Sequence, residues 1–342
     1  MSLRYEKNDE SSPPPQLPTP EEFLKQQKDT IRRRSFWFLA GGALLLAYIV
    51  FELLAGRASA RDLFGAIFFI LGLFGLGGGA WGVYYARRLT LPDLIPSPEA
   101  FEFLQAARAD GTKPYFTYII IGCLILVTVF ELLTERVASV FDVGEQSAAV
   151  AGLVKPLVVH RGEYWRILTA ATLHGIFPLH LYFNAQALYG FGNLIERLSN
   201  RAHLTIVFLL SIVGGGFLSL FSMPDVRSIG ASGGVMGLIG YAAVYGYRRR
   251  RQLPPDFLKT MLVNIAFIAA FGIIAYKIVD NFAHLGGLLT GALYGFFQIP
   301  RDLHKNPRFV KRKTEVFGLI ALGVFIFTSI LTVLLLLKIV RF

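Results

Sequence analysis

Long apolar runs alternate with short polar connections over most of the chain. A helix that crosses a bilayer needs about 17–25 predominantly apolar residues, and the runs of this kind predict nine helical spans. They cover about 35–55, 62–85, 115–134, 169–195, 203–221, 232–247, 260–276, 281–299 and 316–338. The first two are separated only by "GRASAR", which favours a tight helical hairpin. The run 232–247 is short for a full span.

Lysine and arginine are unevenly distributed between the connections. If the N-terminus is cytoplasmic, the segments on its side hold 24 basic residues and those on the other side hold 9. Because cytoplasmic loops carry an excess of Lys and Arg, this split predicts an N-terminus inside. The same orientation places Ser232 near the outer end of its helix.

Composition agrees with a helical membrane protein. The chain has 342 residues, of which 54% are hydrophobic, and it contains 34 glycines and 30 phenylalanines. Its net charge of +11 would suggest nucleic-acid binding in a soluble protein. Here the basic connections explain the charge, and we expect no nucleic-acid partner. A single cysteine, Cys123, excludes an internal disulfide and a thiolate metal site.

Polar side chains inside a membrane span are costly, so a functional role is the first hypothesis for them. The later spans contain few: His174, His180, Asn184, Asn264, His284 and the weakly polar Ser232. At 1.5 Å per residue, Ser232 lies about 24 Å from Arg248, the basic residue that marks the inner end of its helix. By the same measure, His284 and His180 each lie about 26 Å from their own inner arginines. Three helices therefore place polar groups at one depth, which indicates a shared cavity open to the outer side.

Two stripes of glycine accompany Ser232 and His284. Gly230, Gly233, Gly237 and Gly240 share one face of the Ser232 helix, and Gly287, Gly291 and Gly295 follow His284. Small residues at this spacing let two helices approach closely. If the two stripes face each other, Ser232 and His284 meet at one end of the contact, as a nucleophile and its base must. The alternative is helix packing without any chemistry, which explains the glycines but not the histidine.

Five motifs in order resemble those of the rhomboid intramembrane serine proteases, over roughly 115–338. "YWRILTAATLH" resembles the Trp-Arg stretch of the first outer loop, and "HLYFN" resembles the HxxxN motif of the second core helix. "GNLIERL" is similar to the Gly-x-x-x-Glu at the inner end of that helix. "GASG" resembles the GxSG nucleophile motif, and "AHLGGLLTG" resembles the AHxxGxxxG motif of the sixth core helix.

The resemblance implies a Ser–His dyad without an aspartate. Ser232 would attack the peptide carbonyl and His284 would serve as general base and then acid. His180, Asn184 and the backbone N–H of Ser232 would stabilise the oxyanion. Asp280, four residues before His284 at the start of that helix, is the one acidic residue considered for orienting the histidine, but the resemblance does not call for it. The supporting residues are Gly230, Gly233, Met236, Trp165, Arg166, Gly287 and Gly291, with Met236 at a position that is commonly aromatic in the family.

The predicted fold is therefore an all-α polytopic membrane protein with a rhomboid-like six-helix core, one added C-terminal helix and an N-terminal two-helix extension. The expected layout is a disordered cytoplasmic tail at 1–34, a two-helix membrane unit at 35–85, a cytoplasmic linker at 86–114, a catalytic core at 115–299, and a loop with the extra helix at 300–342. The tail does not have the pattern of a cleavable signal peptide, and the absence of a transit-like N-terminus favours a bacterial inner membrane over an organelle.

The function predicted is that of an intramembrane serine endopeptidase, which cleaves single-span membrane proteins near the outer face of the bilayer. It needs water and no cofactor or metal. One alternative is a catalytically inactive relative that binds membrane segments for quality control or trafficking; such relatives typically lack the serine or the histidine, and both are present here. A transporter or channel is a third alternative, which would need paired charges deep in the spans. The sequence leaves the natural substrate and the oligomeric state open.

Overall fold

The computed structural model describes residues 19–55, 63–95, 113–135, 145–175, 178–222, 227–276 and 279–340. These residues divide into two units, one formed by the chain up to Ala109 together with Arg251–Pro255, and the other by Asp110–Arg250 with Asp256–Phe342. The described secondary structure consists of helices, apart from one isolated antiparallel bridge between Leu153 and Ser228. An all-helical fold is thereby confirmed.

The described part of the first unit is a pair of helices followed by one short helical turn. Its elements are α1 (Pro20–Leu54), α2 (Leu63–Arg88) and α3 (Leu91–Leu94). Helices α1 and α2 pack against each other, as the hairpin prediction requires. They approach closely at Gly42, where an added Cβ would lie 2.7 Å from the Gly72 carbonyl oxygen. Small residues thus let the two backbones touch.

The predicted disordered tail at 1–34 is wrong in its second half. Helix α1 begins at Pro20, because Thr19 and Glu22 form a capping box and proline suits the first helical position. Its first turns are polar, so a search for apolar runs misses them. Residues 1–18, and therefore the rest of the predicted tail, lie outside the described residues.

The described residues of the second unit form seven longer helices and three short ones. The long helices are α4 (Tyr115–Thr134), α8 (Pro178–Leu198), α9 (Arg201–Ser222), α10 (Ser232–Arg248), α11 (Phe257–Ile274), α12 (Asn281–Gln298) and α13 (Arg312–Leu336). The short helices are α5 (Glu145–Ala151), α6 (Lys155–Arg161) and α7 (Arg166–Thr169), and a 3-10 turn (Ala170–Thr172) follows α7. Each long helix overlaps one of the predicted apolar runs.

The run predicted as one helix over 169–195 is divided in the structure. Helix α7 and the 3-10 turn end at Thr172, and α8 begins only at Pro178. Gly175 has a φ of +65°, a conformation that glycine adopts without strain. The loop at this interruption contacts His180, one of the predicted site residues, through the His174 carbonyl.

Helices α9, α10 and α12 pack against one another and form the centre of the second unit. Helix α13 packs on α4 and α9, whereas α11 packs mainly on α10. The α10–α12 contact is lined by the predicted glycines: an added Cβ at Gly291 would lie 1.9 Å from the Gly237 carbonyl oxygen, and one at Gly287 would lie 2.0 Å from that of Gly233. The predicted face-to-face arrangement of the two stripes is confirmed for Gly233, Gly237 and Gly240, whereas Gly230 lies before α10 and meets His180 instead.

Five of the described helices are long and apolar enough to cross a membrane, namely α1, α4, α9, α11 and α13. The helices that carry the predicted site residues, α8, α10 and α12, are not among them. They are interrupted by glycine and polar side chains, and α10 has only 17 residues. The prediction of nine spans is therefore confirmed only for these five.

Candidate active site

Ser232 and His284 form a hydrogen bond at one end of the α10–α12 contact. The distance between His284 Nε2 and Ser232 Oγ is 2.8 Å, within the range that a nucleophile and its general base require. Ser232 is the first residue of α10, and His284 lies in the first turn of α12. Both side chains are partly buried, so the pair remains open to an incoming group. The predicted meeting of these two residues is confirmed.

The position of Ser232 at a helix start gives it a second chemical property. The first N–H groups of an α-helix have no partner within the helix, and the helix dipole makes that end electropositive. In α10 the residue before Ser232 is Ala231, which offers no side-chain cap. The N–H of Ser232 is therefore suited to donate a hydrogen bond to a bound carbonyl oxygen as negative charge develops on it.

His180 lies against the segment that leads to Ser232. Gly230 has a φ of +118°, and an added Cβ there would lie 2.7 Å from both Cε1 and Nε2 of His180. Only glycine satisfies both the backbone conformation and the close approach. The first glycine of "GASG" therefore brings the imidazole edge of His180 next to the nucleophile segment. The remaining ring nitrogen, Nδ1, donates to the carbonyl of His174 at 3.0 Å.

The loop before α8 is fixed by a carboxylate on α4. Glu131 accepts hydrogen bonds from the backbone N–H groups of His174 and Gly175, both at 2.9 Å. His174 is buried, and its ring centroid lies 5.0 Å from that of His180. Glu131 thus positions the carbonyl that holds His180. The sequence carries a signal for Glu131, which is a lone glutamate within an apolar run. It was missed because the predicted polar group contains residues of the later spans only.

Asn184 and Asn264 bond to their own helices. The side-chain amide of Asn184, which is buried, donates to the His180 carbonyl at 3.0 Å. The Asn264 amide donates to the Thr260 carbonyl at 2.8 Å on α11. Asn184 lies one turn after His180 on α8, so the structure places it near the predicted group, whereas Asn264 is half-buried on α11 and its described bond stays within that helix.

Trp165 and Arg166 brace the loop region outside the long helices. The Arg166 guanidinium stacks over the Trp165 ring at 4.5 Å and bonds Glu163 at 2.6 Å. Its Nη1 donates to three carbonyls of residues 149–152. The pair therefore holds α5 against α7, at a distance from the reacting atoms. Met236 is buried on α10, one turn after Ser232.

Asp280 lies at the centre of a polar network that the sequence analysis did not foresee. It caps α12 through the N–H of Ala283 and accepts hydrogen bonds from the hydroxyls of Ser219 and Ser228. The Lys155 ammonium lies 3.8 Å from its Oδ2. Burial raises the pKa of this carboxyl, but the hydrogen bonds and the lysine outweigh burial and leave its pKa below the ordinary value. Asp280 is thus held as a carboxylate.

The sequence was also compared with known protein families and curated proteins. Residues 161–301 match the family model described as the Rhomboid domain. The rhomboid protease GluP of Bacillus subtilis is 32% identical over 234 residues, which are 68% of this chain and 43% of that protein. YdcA of the same organism is 30% identical over 146 residues, or 42% of this chain and 72% of YdcA.

A plant protein, RHOMBOID-like protein 6 (mitochondrial) of Arabidopsis thaliana, is 35% identical over 148 residues, or 41% of this chain and 45% of the relative. The chain thus spans less than half the length of GluP and of this plant relative. The matched region contains the whole helical segment from α8 to α12, with Ser232 and His284. On these grounds the chain belongs to the rhomboid family.

Proposed function

We propose that this chain is an intramembrane serine endopeptidase that acts through Ser232 and His284. The observation that carries the proposal is the 2.8 Å contact between His284 Nε2 and Ser232 Oγ, on helices whose glycine contact fixes their separation. His284 takes the hydroxyl proton as Ser232 attacks a peptide carbonyl, and returns it to the leaving amine. His284 then takes a proton from water, which attacks the acyl-enzyme, and returns that proton to Ser232 as the serine leaves.

The oxyanion of the tetrahedral intermediate is stabilised by the Ser232 N–H, with Asn184 and His180 as side-chain donors. Because Nδ1 of His180 already donates to the His174 carbonyl, its Nε2 donates to the oxyanion from the imidazolium form of the ring. The closeness of the His180 ring to Gly230 supports this role. Asn184 must exchange its bond to the His180 carbonyl for one to the oxyanion. Removal of one such donor typically costs roughly 2.7–4 kcal/mol of transition-state stabilisation.

The substrates proposed are single-span membrane proteins. The 24 to 9 distribution of basic residues supports nine spans with the N-terminus in the cytoplasm, so the Ser232 end of α10 lies toward the outer face. A membrane helix must unwind there to present its peptide bond. Segments that contain glycine or proline are therefore the better substrates, because their helices are easier to open.

Cleavage of a model single-span protein in proteoliposomes tests the proposal. Wild type is expected to release one product cut near the outer membrane boundary, and Ser232→Ala and His284→Ala are expected to release none. Ser329→Ala on α13 is the matched control, since the described hydrogen bonds of its hydroxyl join it to the Phe325 carbonyl on its own helix and to Cys123 on α4. A folded wild-type protein that binds the segment without cutting it contradicts the proposal and supports the inactive, segment-binding alternative.

A further inference from the structure

Asp280 and Ser228 stand in equivalent places relative to the two reactive residues. Asp280 precedes His284 by four residues, and Ser228 precedes Ser232 by four. The Ser228 hydroxyl donates to Asp280 Oδ2. One hydrogen bond therefore joins the segment that leads into α10 to the segment that leads into α12.

The two ends of this bond are themselves anchored. Asp280 Oδ1 accepts the N–H of Ala283 at 2.9 Å, which fixes the carboxylate on the first turn of α12. Ser228 pairs with Leu153 through two backbone hydrogen bonds of 3.0 and 3.3 Å. A change at Asp280 is thus transmitted to the backbone on both sides of the reactive pair.

Two further groups hold the same carboxylate oxygen. Ser219, near the end of α9, donates its hydroxyl to Oδ2, and Lys155 at the start of α6 contributes its charge at 3.8 Å. The Asp280 side chain is 13% exposed and that of Lys155 is 1% exposed. Charge-assisted hydrogen bonds of this kind are shorter and stronger than neutral ones. The carboxylate therefore connects α6, α9, α12 and the segment before α10.

The glycine contact between α10 and α12 does not replace this connection. It sets the separation of the helix axes from Gly233 onward, but Ser232 is the first residue of its helix and follows an irregular segment. The orientation of its hydroxyl depends on how that segment enters α10. An error of about 1 Å between reacting groups can cost on the order of 100-fold in rate.

We propose that Asp280 is a positioning residue, which holds the Ser228 segment to the start of α12 and so sets the Ser232–His284 distance. It touches neither substrate nor the reacting atoms. This inference rests on the proposed protease function, since it concerns the geometry of that reaction. It differs from a catalytic triad, because Asp280 contacts the chain segments rather than the His284 ring.

The test measures kcat and KM for a model substrate with Asp280→Asn, Ser228→Ala and Ser219→Ala. Asp280→Asn keeps the shape and the Ala283 cap but weakens the charge-assisted bonds, so we expect kcat to fall by about 30- to 100-fold with little change in KM. The kcat of Ser228→Ala should fall by a similar factor. Ser219→Ala removes a bond to the same oxygen without releasing the Ser232 segment, so its loss of kcat should be several-fold smaller.

Two variants separate positioning from stability. Ser228→Thr retains the hydroxyl and is expected to restore most of kcat. The double variant Ser228→Ala with Asp280→Asn should lose no more than the worse single variant, because both remove one connection. The midpoint of thermal unfolding should stay within a few degrees of wild type in all of them.

The outcomes distinguish this inference from the proposed function. If wild type cleaves and Asp280→Asn retains its kcat, the positioning role is wrong and the protease function stands. If kcat falls only in step with the unfolding midpoint, or Ser228→Thr fails to rescue, the role is merely structural and the inference is overturned. If wild type itself does not cleave, the proposed function fails first.

Discussion

Helix α12 meets α10 and α11, two of its neighbours, in opposite ways. Toward α10 it presents glycines so close to the other backbone that an added methyl group at Gly287 or Gly291 would overlap a carbonyl oxygen. Toward α11 the contact is sparse, and the described interaction is one hydrogen bond of 2.9 Å from the Asn281 amide to the Gly272 carbonyl. The contact with α10 holds Ser232 and His284 together. The contact with α11 leaves most of the α11 surface unpacked against α12.

The burial of the two neighbours shows the same difference. Helix α10 buries twelve of its residues, whereas α11 buries only Met261 and Gly272. Tight backbone contact is suited to a site whose atoms must stay within a few tenths of an ångström. A loosely held helix contributes little to that geometry. Stability and reactivity should therefore respond strongly to changes at the α10–α12 contact and weakly to changes on α11.

The largest effect is expected from Gly291→Val. Its side chain would collide with the Gly237 carbonyl, a backbone atom that cannot rotate away, and should force α10 and α12 apart. We expect a loss of about 3 kcal/mol in the free energy of unfolding, at the upper end for overpacking, together with loss of cleavage. Thermal unfolding in detergent measures it. Gly122→Ala on α4, where an added Cβ meets nothing within 4 Å, is the control and should unfold like wild type.

Met236→Ala should have the next largest effect. Met236 is 4% exposed, and we expect its truncation to cost about 2 kcal/mol, at the lower end for a buried methionine. Met236→Leu conserves volume and should cost less than about 1.5 kcal/mol. If the side chain also positions His284, the cleavage rate of Met236→Leu will fall further than its small loss of stability explains. Unchanged cleavage by Met236→Ala would show that Met236 has no such role.

Asn281→Ala tests the hydrogen bond between α12 and α11. Loss of a typical hydrogen bond costs about 0.5–1.5 kcal/mol, so the unfolding midpoint should fall only slightly. Amide hydrogen exchange should accelerate at the Gly272 end of α11 and stay unchanged in α10. Equal acceleration in both helices would mean that α11 is as firmly held as α10.

Leu262→Ala on α11 is expected to have the smallest effect. This side chain is 54% exposed, and surface substitutions usually change stability by no more than about 0.5 kcal/mol. Stability in detergent and cleavage of a model substrate should both match wild type. A loss as large as that of Met236→Ala would remove the distinction between the two helices.

The sequence predicted those parts of the site that rest on helical spacing. Gly233, Gly237, Gly287 and Gly291 recur at intervals of one turn, so their common face and the meeting of Ser232 with His284 follow from helix geometry. The predicted motif residues His180 and Gly230 also lie together, because the absence of a side chain at Gly230 admits the imidazole. The catalytic and oxyanion roles of these residues remain predictions.

Contacts made by irregular segments had no such signal. The bonds from Ser228 and Ser219 to Asp280, and from the loop at His174 to Glu131, join residues that are distant in sequence and lie at the ends of elements. No periodicity relates them. The start of α1 at Pro20 was missed for a different reason, because its first turns are polar and their capping box carries the signal instead of hydrophobicity.

The most direct test of the central claim is the site of covalent modification by a fluorophosphonate. The protein is labelled in detergent, and the modified residue is located by peptide mass spectrometry. Ser232 should carry the adduct, while folded His284→Ala should label far more slowly and Ser232→Ala not at all. A folded wild-type protein that remains unlabelled, or that carries the adduct equally on another serine, would contradict the assignment of Ser232 and His284 as the reactive pair.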